Sequence, residues 1–198
     1  MSRPDFAFGN PIVSSLTRRL KQRRPVEAEV KPGERQAAVA AVLRVAAEPE
    51  LLFIKRAEVE RDPWSGHMAF PGGRRELLDD TLQDTAIRET REEVELKLDR
   101  TSFIGQLDDL APRSLSLPRI VVRPFVAIVA PDVALHPGDE VAATFWVPLA
   151  ILRDPSSQGE HVMTVNGVRA RFPAYRVDEH LVWGLTERIV RQLLSMVG

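Results

Sequence analysis

Phe70 to Leu96 reads FPGGRRELLDDTLQDTAIRETREEVEL, and its centre, Arg88-Glu89-Thr90-Arg91-Glu92-Glu93, sets what the rest of the chain has to hold. Residues three and four apart share a helix face, so in a helical reading Glu89 lies below both Glu92 and Glu93. Three carboxylates then crowd one side of the helix near its C-terminus, where the dipole already disfavours acids. Each like-charged pair at this spacing costs about 0.2–0.5 kcal/mol. Arg88, Arg91 and Lys97 offset part of this. A hard divalent cation offsets far more, because Mg²⁺ takes carboxylate oxygens and keeps several waters for a phosphate-bearing substrate. An acidic run is ordinarily a solvated helix face, but the residues before this one point elsewhere. Phe70-Pro71-Gly72-Gly73 is an apolar lead into a turn whose paired glycines let the backbone come close to a ligand. Asp80 is the expected N-cap, with Gln83 at the capping-box position. Leu82, Ala86, Ile87 and Val94 supply an apolar stripe away from the acids.

The whole chain fits a globular frame around this stretch. Its 198 residues are enough for a substantial core. Hydrophobic residues make up 44% and charged ones 28%, which excludes a disordered or membrane-spanning class. A net charge of −1 argues against a general binder of nucleic acid or of membrane surfaces. The absence of cysteine excludes disulfides, thiolate metal sites and a cysteine nucleophile. No apolar run approaches the ~18–20 residues that span a bilayer, and no signal-peptide core is expected at the N-terminus, so a cytoplasmic location is the expectation.

Residues 1–35 read as an N-terminal helical extension and linker. Ile12 to Arg24 forms an amphipathic helix with Ile12, Leu16 and Leu20 on one side and Arg18, Arg19, Lys21, Arg23 and Arg24 on the other. Docking on the domain with a solvated basic face is favoured over contact with an anionic partner. Pro25 and Pro32-Gly33 end the helix and make the linker. Residues 36–198 form the main domain. Gln36–Val45 is a buried strand, with Leu51–Lys55 its hairpin partner across Glu48-Pro49-Glu50. His67–Phe70 leads as a short strand into the glycine turn, with His67 a hydrogen-bonded polar residue rather than a metal ligand. Strands follow at Phe103–Leu107 and Arg119–Ala130, the second placed at an edge or bulge by Pro124. Asn166-Gly167 marks a tight hairpin, and Leu185, Ile189, Leu193 and Met196 line a final helix. Strands interleaved with two principal helices indicate an α/β layered fold with a mixed sheet.

Gly73, Asp80 and Arg88-Glu89-Thr90-Arg91-Glu92-Glu93 resemble the Nudix box, G-x5-E-x7-R-E-U-x-E-E-x-G-U, where U is a bulky aliphatic residue. Six residues, not five, separate Gly73 from Asp80; Asp replaces Glu there; Thr90 replaces the aliphatic residue; and Glu95 stands where the box has its last glycine, which is expected to alter the helix exit more than the metal site. The extra residue is similar to the coenzyme A pyrophosphatase branch of the family. Leu51-Leu52-Phe53-Ile54-Lys55-Arg56, Pro118 to Phe125, Phe145 to Leu149, and Tyr175 with Val182 to Ile189 also look like that branch, whereas VERDPWSGHM departs from its usual run before FPGG.

The resemblance implies a Nudix-type α/β/α sandwich with a mixed β-sheet and a loop–helix–loop metal site. It implies hydrolysis of a nucleoside diphosphate linked to another moiety. Coenzyme A or a derivative is the first expectation, ADP-ribose or another nucleoside-diphosphate compound the second, and a non-catalytic Nudix-fold binding module the third. Glu89, Glu92 and Glu93, joined by the Gly73 carbonyl, would hold Mg²⁺ or Mn²⁺. Glu92, Glu93 or Glu140 would be the general base. Asp80 and Arg88 would form a structural ion pair. Arg56, Trp64, Arg74 and Arg75 would bind substrate, with Arg113 and Arg119 as further cations for a 3′-phosphate. The expected partner is a small-molecule nucleotide, with a homodimer left open and neither nucleic acid nor membrane expected.

Overall fold

The computed structural model describes residues 9–58, 66–112, 119–165 and 167–197. Its centre is strand β1 (Arg35–Arg44), whose small and β-branched residues allow packing on both faces. Ala38, Ala40 and Val42 meet Leu82, Ala86 and Val94 of helix α2 (Leu82–Val94) on one side. Ala41 and Leu43 point the other way, into a core shared with Val13, Leu16 and Leu20 of α1 (Pro11–Gln22) and Ile189 and Leu193 of α4 (Gly184–Leu194). The period-two alternation of one strand thus builds an α/β/α sandwich.

The sheet is mixed. Strand β6 (Ile120–Val129) runs parallel to β1 along its full length, and β5 (Phe103–Gln106) is antiparallel to β6. Strand β2 (Glu50–Arg56) pairs with β1 only at Leu43–Leu51 and Arg44–Glu50, then diverges. Its other edge is occupied by β7 (Val141–Pro148). Two short strands fill the fork: β3 (Met68–Ala69) continues along β2, and β4 (Gly72–Arg74) continues along β1. The glycine turn of the sequence is therefore itself a strand. It is seated by the Ala40 N–H on the Pro71 carbonyl (2.8 Å) and the Arg75 N–H on the Gln36 carbonyl (3.0 Å). Helix α3 (Leu149–Arg153) follows β7. A second sheet, β8 (Gln158–Val165), β9 (Val168–Val177) and β10 (His180–Trp183), carries the two-residue hairpin, with Val165 opposite Val168 and Gly167 at φ +78°. Asn166 lies outside the described residues.

Three local expectations are corrected. The N-cap of α2 is Thr81, not Asp80: its side chain accepts from the Asp84 N–H, and the Asp84 carboxylate accepts from the Thr81 N–H. Gln83 instead donates to the Arg100 carbonyl. Pro124 lies in an interior strand, in register with Val39. Its carbonyl accepts from the Leu107 N–H just past the end of β5, and the register shift falls in β5, between Phe103 and Gly105. Glu95 takes φ +55°, ψ +16° at the C-terminal end of α2, the left-handed conformation a glycine would adopt, so the helix exit is kept despite the missing glycine.

In α1, Asn10 accepts from the N–H groups of Ile12 and Val13 and donates to the Ala46 carbonyl, while Val13 takes the deeply buried place expected for Ile12. Beyond the helix, Arg23 pairs with Asp108, and Asp109 accepts from the Ala28 N–H and from both ends of the Arg123 guanidinium. These contacts strap the N-terminal segment across the end of β5 and β6.

Candidate active site

Glycines at 72 and 73 bring β4 onto α2. A Cβ at Gly72 would collide with the Ala38 carbonyl, and one at Gly73 would fall within the Glu89 carboxylate. Only a bare backbone leaves room there. The Gly72 N–H donates to the Glu93 carboxylate (2.8 Å). At the other end of the helix, the loop before β7 closes over the last turn. The His136 N–H donates to the Val94 carbonyl (3.0 Å) and the Gly138 N–H to the Glu93 carbonyl (2.9 Å). These bonds satisfy carbonyls that a helix terminus leaves open. A Cβ at Gly138 would lie 2.7 Å from the Glu92 carbonyl oxygen, so that contact also needs glycine. The loop then delivers Glu140, whose carbonyl accepts from the Ala57 N–H (2.8 Å) and whose charge acts on Glu89 and Glu93.

Arg88 is the hub. Its Nε and Nη2 hold Asp79 at 3.1 and 3.0 Å, and Nη2 also donates to the Arg74 carbonyl. Its Nη1 stands 2.9 Å from both Glu89 and Glu92. Asp79, only 6% exposed, further accepts from Thr85 Oγ1 and the Glu76 N–H. The Arg88 guanidinium holds the Asp79 carboxyl down at about 2. The partner of Arg88 is thus Asp79, and the expected Asp80 pair is not formed. Asp80 is exposed, with its backbone carbonyl taken by Arg75. Five residues separate Gly73 from Asp79, the count the box prescribes, and that spacing was the signal available in the sequence.

Burial pushes the Glu89 carboxyl up, against the pull of Arg88. Glu93, 6% exposed, is pushed up to about 8 by burial, with Glu89 and Glu140 adding to the effect and the Gly72 N–H and Arg56 opposing it. Arg56 is thereby placed beside the acids. Arg74 extends from the exposed end of β4. Arg75 is turned back on its own loop, bonded to the carbonyls of Asp79 and Asp80, so its expected substrate role gives way to a structural one. Arg119 immediately precedes β6, 3.5 Å from Glu34. The His67 ring packs edge-on against Trp183. Trp64 and Arg113 lie outside the described residues.

Among the described residues no three acidic or histidine side chains already form a ligand sphere, because Arg88 bridges Glu89 and Glu92 while Glu93 faces the Gly72 N–H. The donor chemistry nonetheless suits a divalent ion: hard carboxylate oxygens on one helix face, two of them desolvated, packed against the side-chain-free backbone of Gly72 and Gly73. Glu89, Glu92 and Glu93 with the Gly73 carbonyl are the residues that would hold it.

The NUDIX domain model matches residues 34–164. Uncharacterized Nudix hydrolases named NudL are similar over most of their length. That of Photorhabdus laumondii is 33% identical over 174 residues, covering 87% of this chain and 90% of that protein. That of Cronobacter sakazakii is 35% identical over 179 residues, covering 88% and 89%. Among solved structures, a MutT/nudix family protein from Enterococcus faecalis superposes with a TM-score of 0.59 at 17% identity, over 97% of this chain and 71% of that one. The NUDIX domain of Shewanella oneidensis NrtR, solved as a complex with ADP ribose, gives 0.51 at 20% identity, over 64% and 84%. At these identities the structural likeness speaks for the fold.

Proposed function

Because the chain belongs to the NUDIX family and is a Nudix hydrolase, we propose that it cleaves the diphosphate of coenzyme A or a coenzyme A derivative, using Mg²⁺ or Mn²⁺. The observation that carries the chemistry is the pair of carboxylates of Glu89 and Glu93 set against the bare backbone of Gly73 and Gly72, with Glu92 on the same helix joined through Arg88 and Glu140 near enough for its charge to act on both. The segments from Pro118 to Phe125 and from Val182 to Ile189, similar to the coenzyme A pyrophosphatase branch, support the substrate.

When bound, the divalent ion supplies the Lewis acidity that offsets diphosphate charge and acidifies water. The chain does the rest. Gly72 and Gly73 let β4 pack directly against β1 and the Glu89 and Glu93 carboxylates, which holds these acids in place for the diphosphate. Arg56 and Arg74 lie on the strands that border the acids and meet phosphate oxygens. Water attacks one phosphorus, the bridging P–O bond breaks, and the proton passes to a carboxylate. Glu140 is our choice for that base, because it is exposed on a loop while Glu93 is engaged by the Gly72 N–H. Glu92 is the second choice. Arg88 and Asp79 position the helix and take no part in proton transfer.

Coenzyme A would give 3′-phosphoadenosine 5′-phosphate and 4′-phosphopantetheine. The test is Mg²⁺-dependent turnover of coenzyme A, dephospho-coenzyme A and ADP-ribose, with products identified by chromatography. A kcat/KM highest for coenzyme A supports the reading. A clear preference for ADP-ribose overturns it and leaves the family activity on another substrate.

A further inference from the structure

Leu77 and Leu78 are the most exposed large apolar side chains among the described residues, at 104% and 93%. They are not on a loose loop. They form the centre of a turn closed by the Asp79 N–H on the Glu76 carbonyl (3.2 Å) and by the Glu76 N–H on Asp79 Oδ2 (2.9 Å). Arg75 clamps the same loop through the carbonyls of Asp79 and Asp80. Arg88 holds both shoulders of the turn, Asp79 at 3.0 Å and Glu76 at 3.9 Å, and the Nη1 that faces Glu76 also touches Glu89 and Glu92. A rigid apolar tip therefore stands at the lip of the acidic site, with nothing among the described residues to cover it. Such a feature marks a contact surface.

Three occupants compete. Two side chains fall far short of the ~1,000 Å² that a stable protein interface needs, which argues against a second copy. Exposed Glu76 and Asp80 flank the tip, while Arg75 is turned back onto the loop carbonyls, and this setting disfavours an anionic bilayer. The substrate itself remains, since the tip is coupled through one guanidinium to the acids that would face its diphosphate. We propose that Leu77 and Leu78 are a specificity contact for the non-nucleotide arm of the substrate, and that they take an aliphatic group lying close to the diphosphate. This rests on the coenzyme A reading. The pantetheine arm carries a carbon with two methyl groups one methylene from the phosphate ester. ADP-ribose places a hydroxylated ribose there, whose polar groups would lose water against leucine without a hydrogen bond in return. The pair thus separates the two substrate classes on the side away from adenine, which both contain.

The experiment compares kcat/KM for coenzyme A and ADP-ribose in the parent and in the double variant Leu77→Ser, Leu78→Ser. Neither side chain is packed, so the melting temperature is expected to stay within about 2 °C of the parent. The coenzyme A to ADP-ribose ratio is expected to fall about tenfold or more, chiefly through KM, and to recover in Leu77→Met, Leu78→Met. An unchanged ratio, an equal loss on both substrates, or a change of oligomeric state by sedimentation would overturn the contact. A parent that prefers coenzyme A while the serine variant keeps that preference removes the leucine contact alone. A parent that does not cleave coenzyme A removes both readings together.

Discussion

Asp79 and Asp80 are neighbours of the same type with different fates, and the difference is physical. The turn from Glu76 to Asp79 points Asp79 inward, where Thr85, the Glu76 N–H and Arg88 satisfy its oxygens, and leaves Asp80 in solvent. Counting back from Arg88 selects Asp80, counting forward from Gly73 selects Asp79, and only the turn decides. Asp79→Asn is expected to destabilise the fold by about 3 kcal/mol, which lowers the melting temperature by roughly 6–12 °C, whereas Asp80→Asn stays within about 0.5 kcal/mol. Because the folded Asp79 carboxyl sits at about 2, below its ordinary 3.8, its contribution of about 2 kcal/mol is complete above pH ~4 and lost as pH falls toward 2. Urea unfolding of parent and Asp79→Asn should therefore converge over that window. Glu93 works in the opposite sense. Its carboxyl lies at about 8 in the fold against an ordinary 4.5, so its ionisation opposes folding progressively from pH 4.5 to 8. With metal removed by chelation, Glu93→Gln is expected to be more stable than the parent by about 4 kcal/mol at pH 8 and equal to it below pH 4.5. The same variant should lose turnover by about 100-fold or more at saturating Mg²⁺. A stable variant that still turns over would remove Glu93 from the site.

Among the elements, α2 was the most legible, since its apolar stripe, glycine lead and acids all agree on one helix. Its ends were less so. The one-residue offset of the N-cap follows from Thr81 and Asp84 forming a reciprocal pair that Asp80 and Gln83 cannot match. The exit depended on Glu95 tolerating a left-handed backbone, a cost of about 1 kcal/mol that a sequence does not display. Glu95→Gly should recover about 0.5–1 kcal/mol, read as a rise of roughly 1–4 °C in melting temperature. Its exposed contact with His136 (3.5 Å) is too weak to offset that gain. Pro124 misled because a proline inside a sheet usually marks an edge. Here the irregularity falls at the start of β5, between Phe103 and Gly105, and the interior strand keeps its parallel register with β1.

For the whole molecule, the layered α/β fold was legible because the glycine lead and acidic helix carry a specific pattern, and the strands around them read as short apolar runs bounded by turn residues. The forked sheet and the strap of residues 23–28 were not legible, since both depend on contacts between segments far apart in the chain. Helix α1 is part of the packing: Leu16 is fully buried among residues of β1, β5 and α4. Leu16→Ala is expected to cost about 2–5 kcal/mol, measured by urea unfolding, and a loss below 1 kcal/mol would mean the helix is only an appendage. The fork also separates two kinds of opening by isotope exchange. The Ala40 and Arg75 amides owe their protection to the seating of the glycine strand in the cleft between β1 and β2, while the amide of Val45, bonded to Val129, belongs to the β1–β6 seam. Deuterium should enter the first pair through local release of the lip and the second only when the central sheet parts. A ligand that seats the lip would then slow exchange at Ala40 and Arg75 well before it changes Val45, so solvent hydrogen can report occupancy of the cleft amide by amide.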